Sequence, residues 1–251
     1  MQAIDWIIQY DFARRALITG IAVGTVCSLL SVVVVLKRMA FIGQGISHAG
    51  FGGVGLASFL AGAVPFTRQP VIRDLIVLAF CLVTAIIIGS LARRRRLEPD
   101  SAIGILLVAG MALGVLLDHF TTMPWYIETF GMIRGRVGFE AILFGSVLNV
   151  SVERMWMSIA LCVSVLLICA AMFKEIVFFT FDENTSRVFG VPTGLVHYLL
   201  LVLLSITIVL TMMLVGVVLV TALLVIPGAT AMLLTRRLGP VITWSWLIGM
   251  L

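Results

Sequence analysis

The apolar run from residue 195 to residue 234 constrains the fold of this chain more than any other feature. At a rise of about 1.5 Å per residue, a single helix of this length would measure about 60 Å. That is about twice the hydrocarbon thickness of a bilayer, which is about 30 Å. The run therefore predicts two membrane-spanning helices joined by a tight turn around residues 211–216.

Five further apolar runs are long enough to span a membrane as helices. They lie near residues 16–36, 42–64, 72–91, 101–117 and 155–173. With the two helices of the long run they make seven spans. An eighth begins after Pro240 and has only about eleven residues before the sequence stops at Leu251, so we expect either a naturally short protein or a truncated last span. Since 61% of the residues are hydrophobic and 12% are charged, we expect an all-α, polytopic transmembrane helical bundle that forms a single domain over residues 1–251.

The basic residues are grouped between the apolar runs, which favours a role in membrane topology over a nucleic-acid partner, in spite of a net charge of +5. The groups at 37–38, 93–96, 174–187 and 236–237 follow alternate spans, so all four are predicted on one side of the membrane. Cytoplasmic loops carry the excess of Lys and Arg. We therefore expect these groups in the cytoplasm and the N-terminus outside.

The segment 118–154 is too polar at its start to cross the membrane. Its second half, 137–150, is apolar but too short for a span, which favours a re-entrant or interfacial helix. Trp125 and Tyr126 suit the headgroup level of the bilayer. Asp118 and His119 are adjacent and point about 100° apart on a helix. We interpret them as the start of a solvated loop.

A polar stretch at 174–192 lies on the predicted inner side. Asp182 is placed as a helix N-cap, and Gly190 with Pro192 forms a stop signal. A short helix at the cytoplasmic face is predicted. It either offers a docking surface to a soluble partner or only connects two spans.

The second span carries polar groups on one side and small residues on another. Gln44 and His48 are one helical turn apart, and Gly52 and Gly55 continue their row, so no bulk follows the imidazole. A histidine at membrane depth indicates a place where something crosses, although an interhelical hydrogen bond is its alternative use. The adjacent row predicts close helix packing. It consists of Gly45, Ala49, Gly53, Ala57 and Ala61.

The sequence contains no motif for catalysis. It has no G-x-x-x-x-G-K-[ST], so it cannot hydrolyse ATP by the P-loop route, and it has no H-E-x-x-H. Its cysteines show no C-x-x-C spacing, so neither a zinc knuckle nor a disulfide framework is predicted. We expect a transporter subunit rather than an enzyme.

Three stretches together resemble the membrane permease subunits of bacterial ATP-binding-cassette importers for zinc, manganese or iron. Residues 36–57 read LKRMAFIGQGISHAGFGGVGLA, and residues 181–192 read FDENTSRVFGVP. Residues 215–234 read VGVVLVTALLVIPGATAMLL. The matches stand in the family's order and extend over nearly the whole chain.

The resemblance implies a permease of the bacterial cytoplasmic membrane that carries a divalent metal ion and holds no permanently bound cofactor. It also implies a second permease copy, identical or related, an external metal-binding solute-binding protein, and two ATPase subunits on the 174–192 side. His48 and Gln44 would lie on the metal path. The residues that couple to the ATPase would be Asp182, Glu183, Ser186 and Gly190.

The chain departs from the family pattern at two positions. Gln44 stands where the family often has an aspartate, and Ser186 stands where an alanine is usual. An amide oxygen attracts a cation less than a carboxylate does, which predicts a weaker, more transient site or further ligands from other helices. Two alternatives remain: a permease for iron-siderophore or cobalamin-type substrates, and an ion-driven secondary transporter. The second alternative usually requires acidic residues within the spans.

Overall fold

The structure is a computed structural model that describes residues 10–93, 99–130, 143, 145 and 151–251. The described chain is helical, with a short 3₁₀ turn at Pro65–Arg68. The helices are α1 (Asp11–Leu36), α2 (Ala40–Ala63), α3 (Pro70–Arg93), α4 (Pro99–Phe120), α5 (Pro124–Phe130), α6 (Val152–Ala171), α7 (Phe173–Phe181), α8 (Glu183–Val188), α9 (Thr193–Val215), α10 (Val217–Leu234) and α11 (Leu238–Met250).

Among the described residues, 7 helices are long and apolar enough to cross a membrane, namely α1, α2, α3, α4, α6, α9 and α10. This confirms the predicted all-α, polytopic bundle with seven spans. The shorter apolar helix α11 occupies the position of the predicted eighth span. The expectation of a single domain over residues 1–251 stays a prediction.

The long apolar run divides at one residue. α9 ends at Val215 and α10 begins at Val217, and Gly216 between them has φ +89° and ψ 158°. Glycine is the residue that adopts this backbone region readily. Gly145 lies against this junction, since a Cβ there would overlap the main chain of Val215. The turn expected over 211–216 is thus confined to Gly216.

The structure differs from the predicted element boundaries in two places. α4 continues to Phe120, so Asp118 and His119 lie in its last turn and not at the start of a loop. The stretch before the predicted short helix is itself a helix, α7, because it buries Ile176 and Phe179 on one side. The re-entrant helix expected at 137–150 lies outside the described residues except for Leu143 and Gly145, as do the basic residues 94–96.

The chain forms two compact units. One contains α1, α6, α7, α8, α10, α11 and both ends of α9. The other contains α3, α4, α5, α2 beyond its first residue, and the middle of α9 at residues 198–209.

In the first unit, α1 packs against α6, α7, α10 and α11. The Ser245 hydroxyl of α11 donates to the carbonyl of Ser28 at 2.7 Å, and Trp246 Nε1 donates to Thr25 Oγ1 at 3.3 Å. A Cβ on Gly249 would lie only 2.5 Å from Cβ of Ser28. Small residues and hydrogen bonds therefore make the short helix α11 part of the core of this unit.

In the second unit, α2 is almost entirely enclosed. The predicted small-residue row at 45–61 is buried along its length. Gly53 of that row faces α3, where a Cβ would lie 3.0 Å from Cα of Val77. The row therefore packs closely against a neighbouring helix, as the sequence predicts.

Tyr126 of α5 covers the C-terminal end of α2. Its hydroxyl donates to the carbonyl of Phe59 at 2.5 Å, and a Cβ on Gly62 would overlap that hydroxyl. The Tyr126 side chain is fully buried, whereas Trp125 beside it is 51% exposed. Packing on α2 within the protein, rather than contact with lipid headgroups, holds Tyr126 in place.

Candidate functional site

Gln44 and His48 lie on the one side of α2 that the described protein leaves open in the first half of the helix. Gln44 is exposed and His48 is partly buried, whereas every other residue from 42 to 55 is buried. The imidazole of His48 stacks on the ring of Phe51, with 5.9 Å between the ring centroids and 22° between the planes. The structure thus places both predicted path residues on one accessible face.

One ring nitrogen of His48 is unpaired in the part of the protein that the structure describes. Its Nδ1 is buried and has no hydrogen-bond partner among the described residues. A buried polar atom usually has such a partner, so an unpaired one points to an interaction with a water molecule, with a bound ion or in another state of the protein. Imidazole nitrogen is a common ligand of divalent transition metals.

One copy of this chain offers few ligands for a metal ion. The described residues contain no group of three or more His, Cys, Asp or Glu that could hold one. An imidazole and a neutral amide bind a cation weakly compared with a set of carboxylates. A site that ions must leave as well as enter needs such moderate affinity. The arrangement suits passage rather than storage.

Gly52 and Gly55 continue the row of Gln44 and His48 without bulk, as predicted, but they do not lie on the open face. A Cβ on Gly52 would lie 2.9 Å from the carbonyl oxygen of Gly110, and a Cβ on Gly55 would lie 2.6 Å from that of Gly114. Both glycines therefore bring the main chain of α2 against α4. The physical reason is that α2 has neighbours on two sides, and each side needs small residues for close approach. The open face is limited to the turn of Gln44 and His48.

The predicted short helix is α8, and it begins at the predicted cap. The Asp182 carboxylate accepts hydrogen bonds from the amide of Asn184 at 2.9 Å and from that of Thr185 at 3.1 Å. The Thr185 hydroxyl also donates to it. The bonds from Thr185, first from the hydroxyl and then from the amide, lower the pKa of Asp182 below its ordinary value. Asp182 therefore fixes the start of α8 as an ionised N-cap.

The C-terminal end of α8 is also the predicted one. Gly190 has φ +83°, its amide donates to Arg187 O at 3.1 Å, and the amide of Val191 donates to Ser186 O at 3.0 Å. These two bonds form a Schellman motif, whose left-handed position favours glycine. Ser186 is fully buried, and its hydroxyl donates to the carbonyl of Glu183 at 2.9 Å. Ser186 thus packs inward, whereas Gly190 is exposed and closes the end of α8.

Asn184 and Arg187 of α8 are exposed, and three large apolar side chains are exposed at the two ends of the helix, which the sequence analysis does not predict. Val188 is 85% exposed and Phe189 is 73% exposed, and Phe181 just before the helix is 61% exposed. Val188 and Phe189 are adjacent in sequence, and exposed apolar side chains that lie together indicate an interaction site. The sequence alone could have indicated this site, because these three large apolar residues lie in a polar segment outside the predicted spans.

Comparison with known proteins agrees with this fold. The model of the ABC 3 transport family matches residues 9–251. The manganese transport system membrane protein MntC of Halalkalibacterium halodurans is 35% identical over 247 residues, which cover 98% of this chain and 78% of that protein. The chelated iron transport system membrane protein YfeD of Yersinia pestis is 31% identical over 240 residues, which cover 96% and 74%.

A solved structure has the same fold. It is PsaBC from Streptococcus pneumoniae in complex with Fab, with a TM-score of 0.79 and 32% identity, covering 100% of this chain and 83% of that one. The resemblance drawn from the three sequence stretches is thereby confirmed. The protein is a multi-pass permease of the bacterial inner membrane and a transporter subunit rather than an enzyme. The chain belongs to the ABC 3 transport family.

Proposed function

We propose that this permease moves divalent manganese or iron ions into the cell and that His48 and Gln44 lie on the path of the ion. The open face of α2 carries the proposal, because it holds an imidazole with an unpaired, buried Nδ1 one turn from an exposed amide. The relatives named for manganese and for chelated iron support manganese and iron as the transported metals. Transport of zinc by this permease stays a prediction from the sequence.

A second permease copy completes the path in this proposal. Oligomers of identical chains usually form closed symmetric pairs, in which the same surface of each copy meets the other. Two open faces of α2 would then supply two imidazoles and two amides. Nitrogen and oxygen ligands of this kind suit Mn²⁺ and Fe²⁺ and hold them less tightly than thiolates hold softer metals. A related, non-identical permease could also complete the path if it carries a metal ligand at the turn that corresponds to Gln44 and His48.

An ATP-binding-cassette permease works with separate ATPase subunits and a substrate-binding protein. We place the ATPase at α8, where Val188 and Phe189 expose apolar side chains. Asp182, Glu183, Ser186 and Gly190 hold α8 in the shape that presents those two residues. In this proposal these four residues couple to the ATPase through the shape that they give to α8. The metal-binding protein would deliver the ion from the external side.

The decisive experiment is uptake of radioactive manganese, iron and zinc into proteoliposomes that contain the permease with its ATPase and binding protein. We expect ATP-dependent uptake of manganese or iron by the wild type. His48→Ala should remove this uptake without lowering the amount of assembled complex. The control is His119→Ala, which changes an exposed histidine in the last turn of α4.

Normal uptake by His48→Ala would refute the assignment of the path. Equal loss in both histidine variants would show that the effect is not specific to α2. Uptake of an iron-siderophore or cobalamin in place of the free ions would favour the wider-path alternative. Uptake that needs an ion gradient and no ATP would favour a secondary transporter.

A further inference from the structure

Lys37, at the end of α1, makes side-chain contacts with α7 and α8. It is the residue that directly follows α1. Its Nζ lies 3.5 Å from Oε2 of Glu183, the first residue of α8. The same Nζ lies 3.5 Å from the ring centroid of Phe179 in α7. One ammonium group thus contacts both α7 and α8.

The surroundings of Lys37 show that this contact is built into the packing. The Lys37 side chain is 16% exposed, and Phe179 beneath it is 1% exposed. Burial lowers the pKa of Lys37, while the neighbouring Glu183 acts in the opposite direction. An ammonium group withdrawn from water needs such partners, and an aromatic face with a carboxylate supplies them.

This ion pair differs from two other ion pairs in the described part of the chain. Arg14 pairs with Asp11 within α1, and Arg73 pairs with its sequence neighbour Asp74. The pair of Lys37 with Glu183 connects two different helices. Ion pairs within one helix contribute only to that helix, whereas this pair couples the positions of two.

The turn that follows Lys37 is short and fixed. The amide of Met39 donates to Val34 O at 2.8 Å, and the amide of Arg38 donates to Val35 O at 3.0 Å. Arg38 has φ +56°, a left-handed conformation that residues with a side chain seldom adopt. α2 begins at Ala40, so the chain passes from Lys37 to the helix of the proposed path within three residues. Such a turn has little slack to absorb a displacement.

We infer that Lys37 is a positioning residue that transmits movement of α8 to the end of α1 and, along the chain, to the start of α2. This rests on the proposed function, in which the ATPase docks on α8. When the ATPase moves α8, Glu183 moves with it and carries the ammonium of Lys37. The turn at 37–39 then moves the beginning of the helix that holds Gln44 and His48.

The test uses the full complex of permease, ATPase and binding protein in proteoliposomes. Lys37→Met keeps the length of the side chain and removes its charge. Lys37→Arg keeps a cation that stacks on an aromatic ring and pairs with a carboxylate. Lys174→Met is the matched control, since Lys174 is an exposed lysine of α7. The measured quantities are metal ions imported per ATP hydrolysed, recovery of the ATPase with the permease, and the melting temperature.

We expect Lys37→Met to lower the ions imported per ATP by about fivefold or more, the usual range of coupling between two sites. Recovery of the ATPase and the melting temperature should stay at wild-type values, and Lys37→Arg should restore most of the coupling. Lys174→Met should behave as wild type. Unchanged import per ATP in Lys37→Met overturns the inference. A loss that accompanies failed assembly or a lower melting temperature, and that arginine does not rescue, also overturns it.

Failure of the proposed function is distinguishable from failure of this inference. If the wild-type complex imports neither manganese nor iron, stimulation of ATP hydrolysis by the binding protein replaces import as the measurement. Loss of that stimulation in Lys37→Met then supports the inference, and its retention overturns it.

Discussion

The amide of Gly228 in α10 donates a hydrogen bond to the hydroxyl of Ser31 in α1 across 2.8 Å, one residue beyond Pro227. Proline has no N–H and crowds the carbonyl one turn before it, so the helical hydrogen bonds open at this point. The Ser31 hydroxyl accepts the hydrogen bond from the amide of Gly228, which follows the proline. Gly228 also allows the approach, since a Cβ there would lie 2.7 Å from the carbonyl carbon of Ser31.

Ser31→Ala should destabilise the contact between α1 and α10 by about 1–2 kcal/mol, because it removes the buried hydrogen bond that the amide of Gly228 donates across the two helices. The measurement is thermal unfolding of the purified permease in detergent. Ser164→Ala is the control, because that exposed hydroxyl of α6 donates only to Leu161 O in its own helix. Equal melting temperatures for the two variants would refute this role of Ser31.

Gly114→Ala should be more damaging, because the main chains of α2 and α4 touch at this residue. A Cβ on Gly114 would lie 2.5 Å from the carbonyl oxygen of Phe51. Overpacking of this kind is expected to lower the free energy of unfolding by about 1–3 kcal/mol. Gly104→Ala, in the same helix, adds a Cβ with no atom within 4 Å and should leave stability unchanged or slightly higher. A neutral Gly114→Ala would contradict the close approach.

The same glycines show what one sequence can and cannot predict. The row from Gly45 to Ala61 was predicted to pack and does, because four-residue spacing on one helix defines a face. That Gly52 and Gly55 pack as well depends on α4, whose own Gly110 and Gly114 oppose them. Which helices become neighbours is decided by contacts distant in sequence, and no pattern within α2 reveals it.

The segment 174–192 is predicted better at its ends than in its middle. Asp182 and Gly190 define the ends of α8 through hydrogen bonds to residues at most five positions away, so local sequence suffices. The role of Lys37 could not be predicted, because its partner Glu183 lies far along the chain. The burial of Tyr126 could not be predicted for the same reason, because its hydroxyl donates to the carbonyl of Phe59, which is 67 residues away.

Asp182→Ala should loosen the first turn of α8, because the amides of Asn184 and Thr185 lose their acceptor. Asp182→Ser, a good N-cap, should retain most of their protection. The measurement is hydrogen exchange of the α8 peptide segment within the intact permease. Equal protection in the wild type and in Asp182→Ala would show that the cap is dispensable.

The cap also predicts a dependence of α8 on pH. The pKa of Asp182 in the folded state lies below its ordinary value of 3.8, with the hydroxyl of Thr185 as the main cause. The stabilisation from the ionised carboxylate is therefore complete above that value and is lost as the pH falls through the lowered pKa. Protection of α8 should stay constant from neutral pH down to about pH 4 and should decline only in stronger acid. A decline near neutral pH would contradict the assignment.

Gln44→Asp should convert the proposed point of passage into a tighter binding site. A carboxylate one turn before His48 adds negative charge and a harder oxygen ligand, so the half-saturating concentration of manganese should fall by about tenfold. The maximal rate of uptake should fall as well, because an ion held more tightly leaves more slowly. Gln44→Asn is the matched control, since it has the shape of the aspartate and the neutral amide of the wild type. Both quantities are measured by uptake into proteoliposomes over a range of manganese concentrations.

If the aspartate and asparagine variants show the same half-saturation, the face of α2 that carries Gln44 does not contact the ion. If only the half-saturating concentration falls and the maximal rate does not, release from this turn is not the slow step, and the neutral glutamine is unnecessary for rapid passage.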